Sequence, residues 1–467
     1  MTTTAESGPV RLGYVSPEAV PPRTGSCITV VGCGHVGLVM AAGLARLGHD
    51  VIGVDRNAEH VAALNDSRVP FHEDGLDELV AEGLAARRLS FTTSFDEGIP
   101  HAEFIFLAVD TPATLAGAAD LRNIRAATKA IARSLNATNP IIINKSTSPI
   151  GTGETIESIL GAALAGRQKA PRIVSNPEFL RQGRAVYDFL HPDRIVVGAR
   201  SAADAQAVAD LYQGLDAPVV ITDLRTSEMI KYVSNSFLAT KISFINEIAR
   251  ICEHIGVDVD SVVEGVGLDP RIGHHFFSPG IGFGGSCLPK DVAALRYMGE
   301  TLGVATPVLS AVQDVNQGQR TSAVRRLRAR LGTLEGKRIG VWGVTFKGNT
   351  EDARESPAAD VISLLVNEGA EVRAYNPTTP LGLEPRLQEL LVGSPLDAAR
   401  DADALAILSD WSEFRTVPLA EVKRAMRGVV LFDGRNLLDR SVVESLGFAY
   451  LGVGRVARSP MRRRTDT

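Results

Sequence analysis

The stretch Ile28–Asp55, "ITVVGCGHVGLVMAAGLARLGHDVIGVD", decides the architecture. An apolar run leads into a glycine-rich turn, then a helical pattern, then a second apolar run that ends on an acid. This order predicts strand, helix and strand, with the strands buried on both faces of a parallel sheet. Glycines stand at 32, 34 and 37. In such a turn Gly32 permits the tight bend, Gly34 lets a pyrophosphate approach the backbone, and Gly37 lets helix and strand pack closely. The phosphates then meet the positive end of the helix. Asp55, at the end of the second strand, is placed to accept both ribose hydroxyls and to repel a 2′-phosphate. The stretch therefore predicts a dinucleotide site that favours NAD over NADP, with Arg56 as its neighbour.

Outward from this unit the alternation continues. "FIFLAV" (104–109), "IIINKS" (141–146), "RIVSN" (172–176) and "RIVVGA" (194–199) read as further strands of a parallel, doubly wound sheet. After "PVVITD" the pattern turns helical. "TSEMIKYVSNSFLATKISFINEIARICEHIG" is one long helix, apolar on most faces and so expected to be buried. "VDSVVEGVG", "DVAALRYMGETLG" and "PVLSAVQDVNQGQRTSAVRRLRARLG" follow as helices. From Lys337 strands and helices alternate again. The expected fold is α/β, with two Rossmann-like doubly wound lobes joined by a helical middle domain and a long connecting helix. The expected boundaries are a flexible leader at 1–25, a dinucleotide-binding domain at 26–216, a helical middle domain at 217–330, a second α/β domain at 331–454 and a basic disordered tail at 455–467.

The chain has 467 residues, 45% of them hydrophobic and 22% charged, and a net charge of −5. That balance gives no global attraction to nucleic acid or to an anionic membrane. No apolar run reaches membrane-spanning length and no secretory signal opens the chain, so the expected location is the cytoplasm. The four cysteines, Cys27, Cys33, Cys252 and Cys287, form no CxxC pair. A thiolate zinc site and a disulfide framework are both disfavoured, and no metal is expected. Cys27, Cys33 and Cys252 read as small packing residues.

Cys287 differs. It lies in "GFGGSCLPKD" (282–291), and Pro289 suits the first position of a helix, so the thiol precedes a helix amino terminus. That position and Lys290 both favour a thiolate. Asp291, in the first turn, can take a proton, orient a water, or simply complement the helix dipole, worth ~0.3–1 kcal/mol. This stretch alone leaves nucleophile and packing cysteine both open. Three others bear on it. "NPEFLRQG" puts Glu178 at a strand end, where α/β sheets bind ligands. Lys231 and Asn235 are four residues apart and share a helix face; a buried lysine must be paired or functional. "NKSTSPIGT" offers Ser146 and Thr147 at another strand end. Each also has a bland reading, as a salt-bridged carboxylate, a snorkelling lysine and a cap.

Taken together, "GCGHVGL", "PFHEDGLDELV", "NKSTSPIGT", "NPEFLRQG", "SEMIKYVSNSFLATKISFINEI", "DPRIGHHFFSPGIGFGGSCLPKD", "GVTFKGNTEDARESP" and "FDGRN" resemble, in this order, the UDP-glucose 6-dehydrogenase family of nucleotide-sugar dehydrogenases. The resemblance runs from about Ile28 to Gly454. It implies a four-electron oxidation of a sugar 6-hydroxymethyl group to a carboxylate, using two NAD and one water. Cys287 would be the nucleophile, carrying a thiohemiacetal and then a thioester. Lys231 and Asn235 would stabilise the oxyanion, while Glu178, Thr147 and Asp291 would handle the proton and the hydrolytic water. The cofactor set would comprise Gly32, Gly34, Val36, Gly37, Asp55, Arg56, Thr111, Ser146, Thr147, Gln182, Lys290 and Arg354. The nucleoside-diphosphate sugar would meet Glu178, Phe179, Leu180, Lys231, Asn235, Phe283, Gly284, Gly285, Cys287, Phe346, Lys347 and Arg435, with backbone amides of the loop 282–285 against it. Arg271 would reach across to the substrate of a partner in a homodimer built on the middle domain.

The sequence departs from the family pattern in three places. Gln182 stands where a glutamate is usual, Asp110 where a small or neutral residue is common, and Asp74 where proline is usual. UDP-glucose is the expected substrate, with dTDP-glucose as another candidate. The competing readings are a GDP-mannose 6-dehydrogenase and a two-electron dehydrogenase of the hydroxyacid type. A binding protein without catalysis would predict a broken catalytic set, and the set is complete.

Overall fold

The computed structural model describes the strand Gly13–Val15 and residues 25–114, 116–136, 139–165 and 170–456. Most of the expected leader, and the expected tail from residue 457, lie outside the described residues. The chain divides into two compact units, Met1–Ser234 and Asn235–Thr467.

The first unit is built on nine strands: β1 (Gly13–Val15), β2 (Cys27–Val31), β3 (Asp50–Val54), β4 (Leu89–Thr92), β5 (Phe104–Leu107), β6 (Ile141–Asn144), β7 (Arg172–Ser175), β8 (Ile195–Ala199) and β9 (Val219–Thr222). Their order is β1-β9-β8-β7-β6-β5-β2-β3-β4. From β4 to β7 every neighbouring pair is parallel. This part has the doubly wound dinucleotide-binding order. Strands β5 and β6 are buried at every position, because helices cover both faces of the sheet. Leu38, Met40 and Leu44 pack with Phe106 and Ile143 in one apolar cluster, and Ile105 and Leu107 pack with Ile124, Ile131 and Ile156 in another.

Two features differ from expectation. Strand β8 runs antiparallel to β7, so the sheet is mixed rather than wholly parallel. An antiparallel neighbour enters from the end where its predecessor leaves, which keeps the connecting segment with Glu178 at the carboxyl end of the sheet. A buried strand is apolar in either direction, so the pattern could not reveal this. The stretch expected as a flexible leader also supplies β1, antiparallel on β9. An edge strand offers a row of unpaired amides and carbonyls to any passing segment.

The second unit holds β10 (Arg338–Trp342), β11 (Glu371–Tyr375), β12 (Ala404–Ile407), β13 (Val430–Asp433) and β14 (Ala449–Gly452), in the order β11-β10-β12-β13-β14 and all parallel. This is the other common doubly wound order. Ile245, Ala249, Phe277 and Leu327, from the helical stretch, share one apolar core with Ile339, Val341 and Phe432 of the sheet.

The long helix spans Leu224–Ile255. It is not buried all round: Val233, Phe237, Phe244, Ile251 and Ile255 are exposed.

Candidate functional site

In the first unit the glycine turn has the geometry its spacing predicts. Gly32 takes φ +96°, and a Cβ there would meet the Ala108 carbonyl at 2.6 Å. A Cβ on Gly37 would stand 1.8 Å from the Gly32 carbonyl oxygen, whereas one on Gly34 would meet nothing within 4 Å. The backbone is thus tight where helix and strand pack and bare where a pyrophosphate would approach. The helix His35–Arg46 starts directly behind it. Asp55 Oδ2 accepts the Cys33 amide at 2.8 Å and Oδ1 the Asn57 amide at 3.0 Å. These bonds hold the carboxylate at the end of β3, with lone pairs left for ribose hydroxyls. The residues present therefore fit a dinucleotide. Arg56 is exposed and Val36 half-buried. Burial, and then Asp55, push the Cys33 thiol far up, which suits an inert residue.

At the carboxyl ends of β6 and β7 a charged cluster is buried. Lys231 Nζ donates to Glu178 Oε1 at 2.9 Å, and the two side chains are 4% and 6% exposed. Glu178 Oε2 accepts the Leu180 amide at 2.6 Å. Burial alone would raise the Glu178 carboxyl, but the Lys231 charge and hydrogen bond, the Leu180 amide and Lys145 hold it below the ordinary carboxylate value. Glu178 is therefore an acceptor at neutral pH, and removing either partner would strand a buried charge at a cost of about 3–5 kcal/mol. Phe179 lies beneath two cations, with Arg194 3.7 Å and Lys231 5.3 Å from its ring centre. Ser146 Oγ donates to the Val109 carbonyl at 2.7 Å and Thr111 Oγ1 to the Thr147 carbonyl. Both hydroxyls thus tie strand ends together. Gln182 is half-buried in the same segment as Glu178.

In the second unit Cys287 is exposed and is the N-cap of the helix Leu288–Thr301. Leu288 opens that helix, so Pro289 is its second residue rather than its first. Ser286 Oγ lies 3.8 Å from Sγ. Asp291 is fully buried. Its Oδ2 accepts Asn235 Nδ2 at 2.6 Å and its Oδ1 accepts Lys290 Nζ. Simple complementation of the helix dipole needs no burial, so Asp291 belongs to a polar cluster built in the first turn behind the thiol. All four cysteines are thiols. Cys252 is buried as expected, but Cys27 is exposed, since it opens β2 at the rim of its sheet.

The glycine loop before the thiol is held from its own unit. Gly282 and Gly285 take φ +104° and +81°. A Cβ on Gly284 would meet the Glu355 carbonyl at 2.1 Å, and one on Gly285 would meet the Phe346 ring at 2.9 Å. The Phe283 amide donates to Asn316 Oδ1 at 2.8 Å and the Gly285 amide to the Arg354 carbonyl at 3.2 Å. Those two amides are committed within the protein, contrary to the expectation that they face substrate; neighbouring carbonyl groups reach them first. Arg435 donates to the carbonyls of Leu408, Gly282 and Phe346 at 2.8–2.9 Å and thereby clamps the loop. Lys347 stands 5.7 Å from the Phe346 ring centre. Arg354 pairs with Asp352 at 2.7 Å, and Arg271 is exposed and pairs with Asp269 at 2.6 Å.

Several polar residues at these sites are not among those that the motifs single out. Glu73, 2% exposed, accepts the Gly183 and Ala185 amides at 2.7 and 2.6 Å and His35 Nε2 at 2.8 Å. Glu228 accepts the Gly151 and Gly153 amides at 2.7 and 2.8 Å, and burial raises its carboxyl to about 7. Lys145 is buried beside Asn176 and Tyr212. A charge directly after the apolar run "IIIN" was the available signal for Lys145. Among the described residues no group of three or more His, Cys, Asp or Glu could hold a metal ion, and no helix is long and apolar enough to cross a membrane.

Comparison with known proteins agrees along the chain. Residues 26–216 match the NAD binding domain of the UDP-glucose/GDP-mannose dehydrogenase family, 225–318 its central domain and 340–440 its UDP binding domain. The chain is 41% identical over 432 residues to the UDP-glucose 6-dehydrogenase TuaD of Bacillus subtilis, covering 92% of this chain and 93% of that one. It is 39% identical over 441 residues to a UDP-glucose 6-dehydrogenase of Pseudomonas aeruginosa, covering 92% and 97%. The solved structure of a UDP-glucose dehydrogenase from Pyrobaculum islandicum superposes with a TM-score of 0.84 at 37% identity, covering 94% of this chain and 100% of that one. With all three domains matched in order, the chain belongs to the UDP-glucose/GDP-mannose dehydrogenase family.

Proposed function

We propose that the protein is an NAD-dependent UDP-glucose 6-dehydrogenase that works in the cytoplasm and oxidises the sugar 6-hydroxymethyl group by four electrons to the uronate. Its similarity to enzymes of that name supports the reading. The observation that carries it is Cys287, an exposed thiol at a helix amino terminus with Asn235 and a buried Asp291 behind it. A two-electron alcohol oxidation needs no sulfur. An aldehyde cannot lose a hydride to become an acid until an adduct forms, and a thiolate forms one readily.

The Gly32–Gly37 turn and Asp55 would hold NAD, which would supply the hydride acceptor for each of the two oxidations. Glu178, ionised by Lys231, is suited to take the proton of the sugar hydroxyl. Cys287 Sγ bonds to carbon 6 of the aldehyde as the carbonyl π bond opens, and Lys231 and Asn235 donate to the oxygen that gains charge. The second oxidation leaves that carbon as a thioester on Sγ. Asp291 positions a water whose oxygen bonds to the carbonyl carbon; the carbon–sulfur bond breaks and the thiolate is restored. Per sugar, one water is consumed, and two NADH and three protons are released.

The test is a panel of UDP-glucose, dTDP-glucose and GDP-mannose, scored by NADH formed per sugar consumed. Two NADH from UDP-glucose is the expected result. One NADH, or preference for GDP-mannose, would overturn the reading.

The exposed stripe on the long helix supports a homodimer. Phe237, Phe244 and Ile251 recur every seven residues, and Phe237 is 63% exposed, a spacing that lines up one face against a second helix. Phe244→Glu should convert the dimer to monomer in sedimentation; a dimer of unchanged affinity would refute this arrangement.

A further inference from the structure

Lys145 has no role in the chemistry above, yet few side chains are placed so deliberately. It follows β6, is 7% exposed, and forms no ion pair among the described residues. Its Nζ donates to Asn176 Oδ1 at 3.0 Å and reaches the Pro177 carbonyl at 3.5 Å and the Tyr212 hydroxyl at 3.4 Å. Tyr212 donates to the same Asn176 oxygen, while Asn176 Nδ2 donates to the Val196 carbonyl at 2.8 Å. Asn176 and Pro177 are the two residues that lead from β7 into Glu178. Lysine anchors of this kind are costly, because an ammonium away from water loses its hydration. An apolar residue with a separate hydroxyl would fix Asn176 at less cost.

We propose that Lys145 is a positioning residue for the Glu178–Lys231 pair: it grips the strand end that presents Glu178 and sets a second positive charge behind that carboxylate. The proposal rests on the activity proposed above. Glu178, Lys231 and the Tyr212 phenol are the titratable groups facing Lys145. Burial brings the Lys145 ammonium down to about 7, with Glu178 pulling it up and Lys231 pushing it down, while burial keeps the phenol neutral. Below that pH the charge on Lys145 favours ionised Glu178. Its removal should move protonation of Glu178 to higher pH.

Two variants separate charge from grip. Lys145→Met removes both. It should lower kcat by roughly tenfold to a hundredfold, as a misplaced reacting group does, and move the acid limb of the kcat profile up by about half to one pH unit. Asn176→Ser keeps the ammonium but loses its main acceptor; it should lower kcat while leaving the acid limb in place. A carbon-13 titration of labelled glutamate, with Glu178 assigned by its loss in Glu178→Gln, reads the same shift without turnover. Wild-type turnover of UDP-glucose scores the activity, and the variant-to-wild-type differences score Lys145. Wild-type kcat and acid limb in Lys145→Met would overturn the proposal, as would a Glu178 titration unmoved by it. Should Lys145→Met not fold, Asn176→Ser with undiminished kcat would overturn it alone.

Discussion

The turns that follow β2 and β10 share one geometry, and only one of them is followed at once by a helix. After β2, Gly32 at φ +96° donates its amide to Val54 at 2.8 Å, and the Cys33 amide goes to the Asp55 carboxylate at 2.8 Å. After β10, Gly343 at φ +85° donates to Tyr375 at 2.8 Å, and the Val344 amide goes to Asn376 Oδ1 at 3.1 Å. The backbone geometry is shared and the chemistry is not. In the first turn a helix begins at His35, so its positive end faces whatever approaches Gly34. In the second the helix waits until Pro357, and the chain between serves other ends. A Cβ on Gly343 would strike Ser409 Oγ at 2.1 Å, and one on Gly348 would meet the Asp410 carbonyl oxygen at 2.5 Å. That turn is closed by protein. A glycine after a parallel strand therefore marks only a sharp bend; a dinucleotide site needs the adjoining helix end and an acid as well.

If one unit holds the dinucleotide and the other the nucleophile, damage to each should be separable. Cys287→Ser should reduce net acid formation by on the order of a thousandfold or more, the scale seen when a nucleophile is removed, with NAD affinity unchanged by calorimetry. Acid formed at the wild-type rate would break the division. Gly37→Ala places a methyl group 1.8 Å from the Gly32 carbonyl oxygen; it should weaken NAD by roughly a hundredfold, since a helix that cannot close on its strand displaces the phosphate site. Nucleotide-sugar affinity should persist in that variant.

The paired turns offer a finer comparison. Asp55→Ala should weaken NAD by about tenfold or more, the loss of hydrogen bonds to a charged acceptor, whereas Asn376→Ala should leave NAD affinity within about twofold. Equal effects would mean that the two turns are functionally alike. The smallest effect concerns Glu228, which burial raises to about 7 against the Gly153 and Gly151 amides. A carboxyl raised in the folded state contributes stability below its unfolded value of 4.5, and that contribution is lost as pH climbs through 7. Thermal midpoints of wild type and Glu228→Gln should therefore diverge by roughly 3 °C between pH 5 and 8, in favour of the variant at the higher pH. Parallel curves would place the ionisation elsewhere.

Much of the site was legible because its signals are local. The strand before Gly32, the helix behind Gly37 and the acid at Asp55 fall within one short stretch, and so do Cys287 and the helix that it caps. Lys231 with Asn235 was legible from helical spacing. Other features were not. Glu73 takes its two amide hydrogen bonds from residues more than a hundred positions away, and no pattern near it announces a buried carboxylate. The amides of Phe283 and Gly285 read as open to a ligand from the glycine-rich loop alone, but Asn316 and the Arg354 carbonyl, distant in the chain, accept them.

The sequence by itself determined two doubly wound lobes, a dinucleotide turn and a thiol at a helix end, because apolar period, glycine spacing and proline position act within a few residues. Only the tertiary structure decided the reversal of β8, the union of the middle helices with the second sheet's core, and the partners of each buried charge. Those outcomes depend on segments far apart in the chain, such as Lys145 and Tyr212, separated by 67 residues. A buried charge gains its partner only when distant strands and helices close around it.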